Sequence, residues 1–129
     1  MRIITLNCNG IRAAARKGFF EWLSEQRADF VCLQETRIQP FQRTDPRFFP
    51  EGYTNCYVDA EKPGYSGVAL YCRRKPDRIR EGLGWADFDS EGRWIQADYG
   101  RLSVVSLYLP SGTSSDVRQD FKYDLMERL

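Results

Sequence analysis

Uninterrupted apolar runs recur along the chain, and they predict β-strands that are buried on both faces. The first run spans residues 2–8, and an Asn-Gly pair at 9–10 then supplies a turn. The second spans residues 30–33 and ends at the carboxylate of Glu35. Because its apolar character is unbroken, the first strand is expected to lie in the centre of a sheet.

An apolar stripe at helical spacing separates these two runs and predicts one crossover helix over residues 17–27. A strand, a helix and a strand with short connections predict a βαβ unit with parallel strands. The strand ends at Asn7 and Glu35 should then lie at one edge of the sheet, where ligand sites of α/β proteins form. The stripe consists of Phe19, Phe20 and Leu23, with Trp22 beside it.

Further apolar runs predict more strands, which pair in antiparallel fashion where turns join them closely. Pro63 and Gly64 form one such turn, and Gly100 closes a hairpin. The predicted strands are residues 53–58, 66–72, 79–83, 92–99 and 101–109.

Two other segments have a different composition. Residues 38–50 predict an irregular loop that aromatic side chains hold in place, namely Phe41, Phe48 and Phe49. A closing helix is predicted to end at Leu129, with an N-cap at Ser114, Ser115 or Asp116. Its inward positions are Val117, Phe121, Leu125 and Met126.

These elements indicate the α/β class and pose a problem of coverage. Two helices are too few to cover both faces of a sheet of six or seven strands. We therefore expect a second layer, with a second sheet and its helices, that belongs to the complete protein and is missing from this chain. The alternative is a small sheet protein with one solvated face.

The length of 129 residues fits a single globular domain, and the net charge of +1 identifies no partner. Basic residues cluster over 12–17 and 73–80, where they contact phosphate or line ordinary solvated loops. The four cysteines are widely spaced and the chain has no histidine, so no zinc or redox motif is present. Free core thiols, no signal peptide and no long apolar run predict a cytoplasmic or nuclear protein without membrane contact.

Five short motifs occur in series over the whole chain, and each alone is common by chance. They are residues 4–12 (ITLNCNGIR), 33–36 (LQET), 64–69 (GYSGVA), 91–93 (EGR) and 108–112 (YLPSG). In this order and spacing the chain resembles the exonuclease III family of apurinic/apyrimidinic endonucleases, within the endonuclease/exonuclease/phosphatase superfamily.

The resemblance implies a four-layer α/β sandwich, in which two sheets pack face to face between helices. Residues 1–129 would be the N-terminal portion of that single domain. It also implies a DNA repair nuclease that uses Mg²⁺ or Mn²⁺ to cleave double-stranded DNA at abasic sites and to trim 3′ ends.

The resemblance assigns roles to residues of this chain. Glu35 would bind the metal, because hard divalent cations prefer carboxylates. Asn7 would hold a metal-bound water or orient that carboxylate, and is thus both a metal and a catalytic candidate. Tyr108 would donate to a phosphate oxygen or, if its pKa is depressed near the metal, activate the nucleophile. The expected contacts to the DNA backbone are Arg12, Tyr65 and Arg118.

The chain also departs from the family's pattern. Asn9 stands where some relatives have an aspartate, and the later Gly-Asp-x-Asn and Asp-His motifs have no counterpart. Since cooperating catalytic groups are strongly non-additive, we predict that the chain alone is nearly inactive and needs a C-terminal half. The alternatives are another phosphodiesterase or phosphatase of the superfamily, or a non-catalytic DNA-binding half-domain.

Overall fold

The computed structural model describes residues 1–110, 122–123 and 126–127, and its strands form two sheets. The first sheet has the strand order β1-β2-β4-β3, and the second has the order β5-β6-β7. The strands are β1 Ile3–Asn7, β2 Phe30–Gln34, β3 Thr54–Val58, β4 Val68–Cys72, β5 Arg78–Glu81, β6 Trp94–Tyr99 and β7 Leu102–Leu107.

The predicted strand directions are confirmed. Strands β1 and β2 are parallel, with Asn7 opposite Gln34 at their carboxyl ends. Strand β4 is antiparallel to both β2 and β3, and β6 forms an antiparallel hairpin with β7 around Gly100. This topology brings the carboxyl ends of β1, β2 and β7 to the same edge of the molecule as the start of β4.

The two sheets pack face to face around one apolar core. The first sheet contributes Phe30, Cys32 and Leu70, and the second contributes Ile95 and Ala97. The α/β class is therefore confirmed, but the expectation that the second sheet is missing from the chain is wrong. Strand β6 alternates buried and half-buried residues, so it has one core face, and that alternation does not reveal which sheet a strand joins.

Helices cover the other face of the first sheet. Helix α1 spans Ile11–Arg16 and α2 spans Phe19–Ser24, where a single helix was predicted. Gly18 separates them with a φ of 94°, a left-handed conformation that glycine adopts without strain. The predicted buried stripe is confirmed at its three core positions, whereas Trp22 is 47% exposed. A third helix, α3, spans Ala86–Asp89.

Strand β1 is an edge strand, which corrects the prediction of a central position. Ile3 is 51% exposed and Leu6 is 37% exposed. Strand β7 packs over β2, where Ser106 Oγ donates to the carbonyl of Leu33 at 3.1 Å, so the core-facing side of β1 has no strand above it in the described part of the chain. The apolar side chains Ile3 and Leu6 of β1 are thus left partly exposed by the strands described here.

The predictions for the loop at residues 38–50 and for the closing helix are confirmed only in part. Phe48 is buried in a 3₁₀ turn, but Phe41 and Phe49 are 75% and 44% exposed. The closing helix falls mostly outside the described residues, as do its predicted cap and the inward positions other than Met126. Met126 is 52% exposed, so its predicted inward position is wrong.

All four cysteines have free thiols, as predicted, and Cys32 and Cys72 are buried between the sheets. Among the described residues, no helix has the length and apolar character needed to cross a membrane.

Candidate active site

Three strand ends meet around one carboxylate. Glu35 follows β2, Asn7 ends β1, and Tyr108 follows β7. Asn7 Nδ2 donates to Glu35 Oε1 at 3.0 Å, and the Tyr108 hydroxyl donates to the same oxygen at 2.8 Å. The structure therefore brings together the three residues that the sequence predicted for metal binding and catalysis.

The second carboxylate oxygen has a cationic partner that the sequence did not predict. Arg37 Nη2 lies 2.7 Å from Glu35 Oε2, and the Arg37 side chain is 44% exposed whereas that of Glu35 is 16% exposed. Because the Arg37 side chain is partly exposed to solvent, this ion pair contributes little to stability. Its position two residues after Glu35 was the only available signal.

The backbone around Glu35 has an unusual conformation. Glu35, Arg37 and Ser66 have φ values of 53°, 51° and 50°, which residues with side chains rarely adopt. Main-chain hydrogen bonds hold this turn on both sides: Gly10 N donates to the Glu35 carbonyl at 2.7 Å, and Arg37 N donates to the Ser66 carbonyl at 2.8 Å. Strained backbone of this kind persists where the surroundings fix it, and it is concentrated at functional sites.

Two glycines of the motifs allow close approaches at this edge. A Cβ on Gly67 would lie 2.3 Å from the Oγ1 of buried Thr36. A Cβ on Gly92 would lie 2.7 Å from the backbone of Asp59 and Ala60. Both glycines also have positive φ values, so a side chain at either position would combine a close contact with backbone strain.

The contacts determine the protonation of both central groups. Burial raises the pKa of the Glu35 carboxyl, but the hydrogen bonds from Asn7 and Tyr108 and the charge of Arg37 outweigh it and hold this pKa below its usual value. Burial, together with the hydrogen bond to Glu35, raises the pKa of Tyr108 to about 12. Tyr108 is thus a protonated hydrogen-bond donor to Glu35, and the predicted depression of its pKa beside a metal stays a prediction.

The other predicted residues lie at various distances from this centre. Arg12 Nη2 donates to the Arg37 carbonyl at 3.1 Å, which places it beside the Glu35 turn. The backbone N of Asn9 donates to Asn7 Oδ1 at 3.0 Å, so Asn9 supports Asn7 through its main chain. Tyr65 is linked to Tyr108 through hydrogen bonds from Arg93, and Arg118 is outside the described residues.

A buried arginine joins Tyr65 to Tyr108, and sequence reasoning assigned it no role. The Arg93 side chain is completely buried, and its Nη2 donates to the Tyr65 hydroxyl at 3.0 Å. Its Nη1 donates to the Tyr108 carbonyl at 3.1 Å, and its Nε to Glu91 Oε1 at 3.1 Å. The motif at 91–93 was the signal, but an isolated arginine in a sequence is normally exposed.

The second basic cluster is not part of this site. Cys72 pairs with Phe30 at the amino end of β2, so the basic residues that follow Cys72 lie at the opposite end of the sheet from Glu35. A surface cavity of about 570 Å³ is also at that end and is lined by Asp29, Arg73 and Tyr99 among others.

The chain is similar to nucleases of known family. The sequence profile of the Endonuclease/Exonuclease/phosphatase family matches residues 4–129. The chain is 37% identical over 130 residues to an exodeoxyribonuclease of Bacillus subtilis, covering 100% of this chain and 50% of the relative. It is 34% identical over 123 residues to a DNA-(apurinic or apyrimidinic site) endonuclease of Dictyostelium discoideum, covering 95% of this chain and 34% of the relative.

The solved structures agree with the sequence matches. An AP endonuclease from Archaeoglobus fulgidus superposes with a TM-score of 0.82 at 28% identity, covering 99% of this chain and 49% of that structure. The chain thus spans between about a third and a half of the length of these relatives. On the match over residues 4–129, the chain belongs to the Endonuclease/Exonuclease/phosphatase family.

Proposed function

We propose that this chain is the N-terminal portion of a metal-dependent DNA repair nuclease that hydrolyses phosphodiesters at abasic sites and removes nucleotides from 3′ ends. One observation carries the proposal: Glu35 is hydrogen-bonded to Asn7 and Tyr108, which come from separate strand ends. The names of the Bacillus subtilis and Dictyostelium discoideum relatives support a nuclease acting on DNA.

The residues present fit part of a Mg²⁺ or Mn²⁺ site. Mg²⁺ typically takes one or two carboxylates and keeps several waters, and Glu35 and the amide oxygen of Asn7 are oxygen ligands of this kind. Within the described residues there is no cluster of three or more acidic, histidine or cysteine side chains, so other ligands must come from water, phosphate or another chain segment. A bound metal would stabilise charge on the phosphate and on the leaving 3′ oxygen.

The protein groups around the metal position have separable tasks. Asn7 fixes the orientation of the Glu35 carboxylate, and Arg37 neutralises the carboxylate when no cation is bound. Tyr108, whose pKa is raised by burial and by Glu35, donates a hydrogen bond to that carboxylate. In a complex with DNA its hydroxyl would donate to a phosphate oxygen.

DNA binding is assigned to Arg12, Tyr65 and Arg118. Arg12 lies beside the Glu35 turn, and Tyr65 has Lys62 above its ring, with Nζ 5.2 Å from the ring centre. Contacts of this type to phosphate give salt-dependent affinity and little sequence readout. The enzyme is expected in the cytoplasm or the nucleus, where its DNA substrate lies and where its thiols stay reduced.

The catalytic base and the groups that orient water must come from a C-terminal half-domain. Its docking surface is the side of the sandwich where β1 and β7 have no further strand beside them among the described residues. Ile3 and Leu102 are 51% and 39% exposed there, and a groove of about 430 Å³ runs between the two strands. A half-domain that adds strands to both sheets would cover these residues and bring its catalytic groups to Asn7.

The direct test is a chimera. Residues 1–129 replace the matching N-terminal segment of the Bacillus subtilis exodeoxyribonuclease, and Mg²⁺-dependent nicking of a duplex with one abasic-site analogue is measured. The chimera should cleave, and Glu35→Gln should lower its rate by about 10³-fold, because a catalytic electrostatic contact is lost. Glu81→Gln, at an exposed position of β5, is the matched control and should cleave normally.

Other outcomes distinguish the alternatives. The unfused chain should show almost no nicking. Nicking should appear when the C-terminal segment of the Bacillus subtilis enzyme is added or when the two are fused in the chimera. DNA binding by a folded chimera that never cleaves would favour a non-catalytic half-domain. Release of phosphate from a phosphomonoester, with no cleavage of abasic DNA, would favour a phosphatase of the same superfamily.

A further inference from the structure

Arg93 is a charged residue in an unusual place. It is 1% exposed and has the largest side chain among the fully buried residues that the structure describes. A buried guanidinium is costly unless it is paired and its N–H groups are hydrogen-bonded. The carboxylate of Glu91 supplies the charge, with a separation of 3.1 Å. Nη1 and Nη2 of Arg93 also donate to the Tyr108 carbonyl and the Tyr65 hydroxyl.

Three contacts connect Arg93 to Tyr108. The guanidinium donates to the Tyr108 carbonyl at 3.1 Å, and the Tyr108 backbone N donates to the Arg93 carbonyl at 3.0 Å. The guanidinium carbon also lies 4.9 Å from the centre of the Tyr108 ring, within the range of a cation–π contact. The backbone and the ring of Tyr108 are therefore fixed together, while its hydroxyl lies 2.8 Å from Glu35.

The same side chain also holds Tyr65. Arg93 Nη2 donates to the Tyr65 hydroxyl, which in turn donates to Glu91 Oε2 at 3.2 Å. We propose that Arg93 is the positioning residue of the site: it sets the ring of Tyr108 toward Glu35 and couples that ring to Tyr65. The positioning role follows from these contacts alone. Only its use in catalysis rests on the proposed function.

A lysine cannot replace this arrangement. Arginine has a planar fork that stays protonated and donates in several fixed directions at once, whereas lysine concentrates its charge on one flexible amine. Arg93→Lys keeps the positive charge opposite Glu91 and removes the simultaneous contacts to both tyrosines. The expected effect is a change in the position of the Tyr108 ring in a protein that remains folded.

The test is fluorine NMR on the 129-residue chain labelled with 3-fluorotyrosine. Tyr108→Phe identifies the Tyr108 resonance. Arg93→Lys should shift or broaden this resonance by more than its linewidth, at a temperature where circular dichroism shows the variant to be folded. A merely structural arginine would lower the melting temperature and leave the Tyr108 resonance of the folded protein unchanged, which would overturn the proposal.

Arg73→Lys is the matched control. Arg73 also donates to a backbone carbonyl, that of Ala28 at 3.1 Å, and to a tyrosine hydroxyl, that of Tyr53 at 3.3 Å. It lies at the opposite end of the sheet, so its replacement should move the resonance of Tyr53 and not that of Tyr108.

Tyr65→Phe decides the question if Arg93→Lys does not fold. It removes only the hydroxyl that Arg93 holds, and through Arg93 it should shift the Tyr108 resonance; no shift would overturn the proposal. Neither measurement needs cleavage. A moved Tyr108 resonance together with an inactive chimera would count against the proposed function and not against the positioning role.

Discussion

The middle and the end of the first sheet follow different rules. In the middle, Leu33 and Leu70 are completely buried in extended strands that pair on both sides. At the end, Glu35 and Arg37 adopt left-handed conformations, and the amide of Asn7 and the guanidinium of Arg37 contact the Glu35 carboxylate. The middle is built for stability, whereas the end keeps a strained geometry that the surrounding hydrogen bonds fix.

Truncation in the middle should have the largest effect on stability. Leu70→Ala should lower the free energy of unfolding by about 3 kcal/mol, since it leaves a cavity between the sheets. Leu102→Ala removes the same atoms from a residue that is 39% exposed and should cost less than about 1 kcal/mol. Urea unfolding of both variants measures the difference, and equal costs would mean that the sheets are not packed around Leu70.

Gly67→Ala tests how much stability depends on the close packing at the end of the sheet. The new methyl group would collide with buried Thr36 at a φ of 88°, and we expect a loss of about 2–3 kcal/mol. Gly64→Ala is the control, because Gly64 has a φ of 69° and open space around its Cα. Its loss should be near 1 kcal/mol, from backbone strain alone. Denaturant midpoints of the two variants measure the difference in stability. Similar losses for Gly67→Ala and Gly64→Ala would contradict the close approach of Gly67 to Thr36.

The Glu35 carboxyl should give a smaller effect that depends on pH. Its pKa in the folded state lies below the ordinary value, so the stabilisation is present above pH 4.5 and is lost as the pH falls through the lowered pKa. In EDTA, Glu35→Gln should therefore reduce the unfolding free energy at pH 7 by on the order of 1 kcal/mol and have less effect at pH 3. A difference that does not change with pH would contradict the hydrogen-bonded carboxylate.

The smallest effect is expected at Asn9, whose φ is 46°. Asn9→Gly should change the stability by less than about 0.5 kcal/mol, because glycine and asparagine both tolerate this conformation. Asn9→Ala should cost about 1 kcal/mol. Thermal melts of the two variants give the order, and an alanine variant as stable as the glycine variant would show that the turn relaxes.

The same contrast explains how far the sequence could predict the structure. Strand β2 and the meeting of Asn7 with Glu35 followed from unbroken apolar runs and from the direction of a βαβ unit. The division into two sheets did not, because the apolar pattern of β6 is the same whichever sheet it joins. Helix α1 was missed because its Asn-Gly start indicates only a turn.

The side chains around Glu35 could be predicted only in part. Asn7 and Tyr108 follow strands, so topology determines their place. Arg37 reaches Glu35 through a left-handed turn, and the guanidinium of buried Arg93 contacts three residues, Tyr65, Glu91 and Tyr108. No local sequence pattern predicts the contact between Arg37 and Glu35 or the burial of Arg93. The role of Arg118 stays a prediction.

The unpaired edge of β1 has a consequence for thermodynamic linkage. In the part of the chain that the structure describes, strand β1 has a hydrogen-bonding partner on one side only, so its amides should exchange with solvent at a lower opening free energy than those of β2. Asn7 ends that strand, and the order of the site therefore depends on one of the less protected strands. Any chain that pairs with β1 would suppress this opening, and by reciprocity a ligand held through Asn7 would tighten the binding of that chain by the same factor.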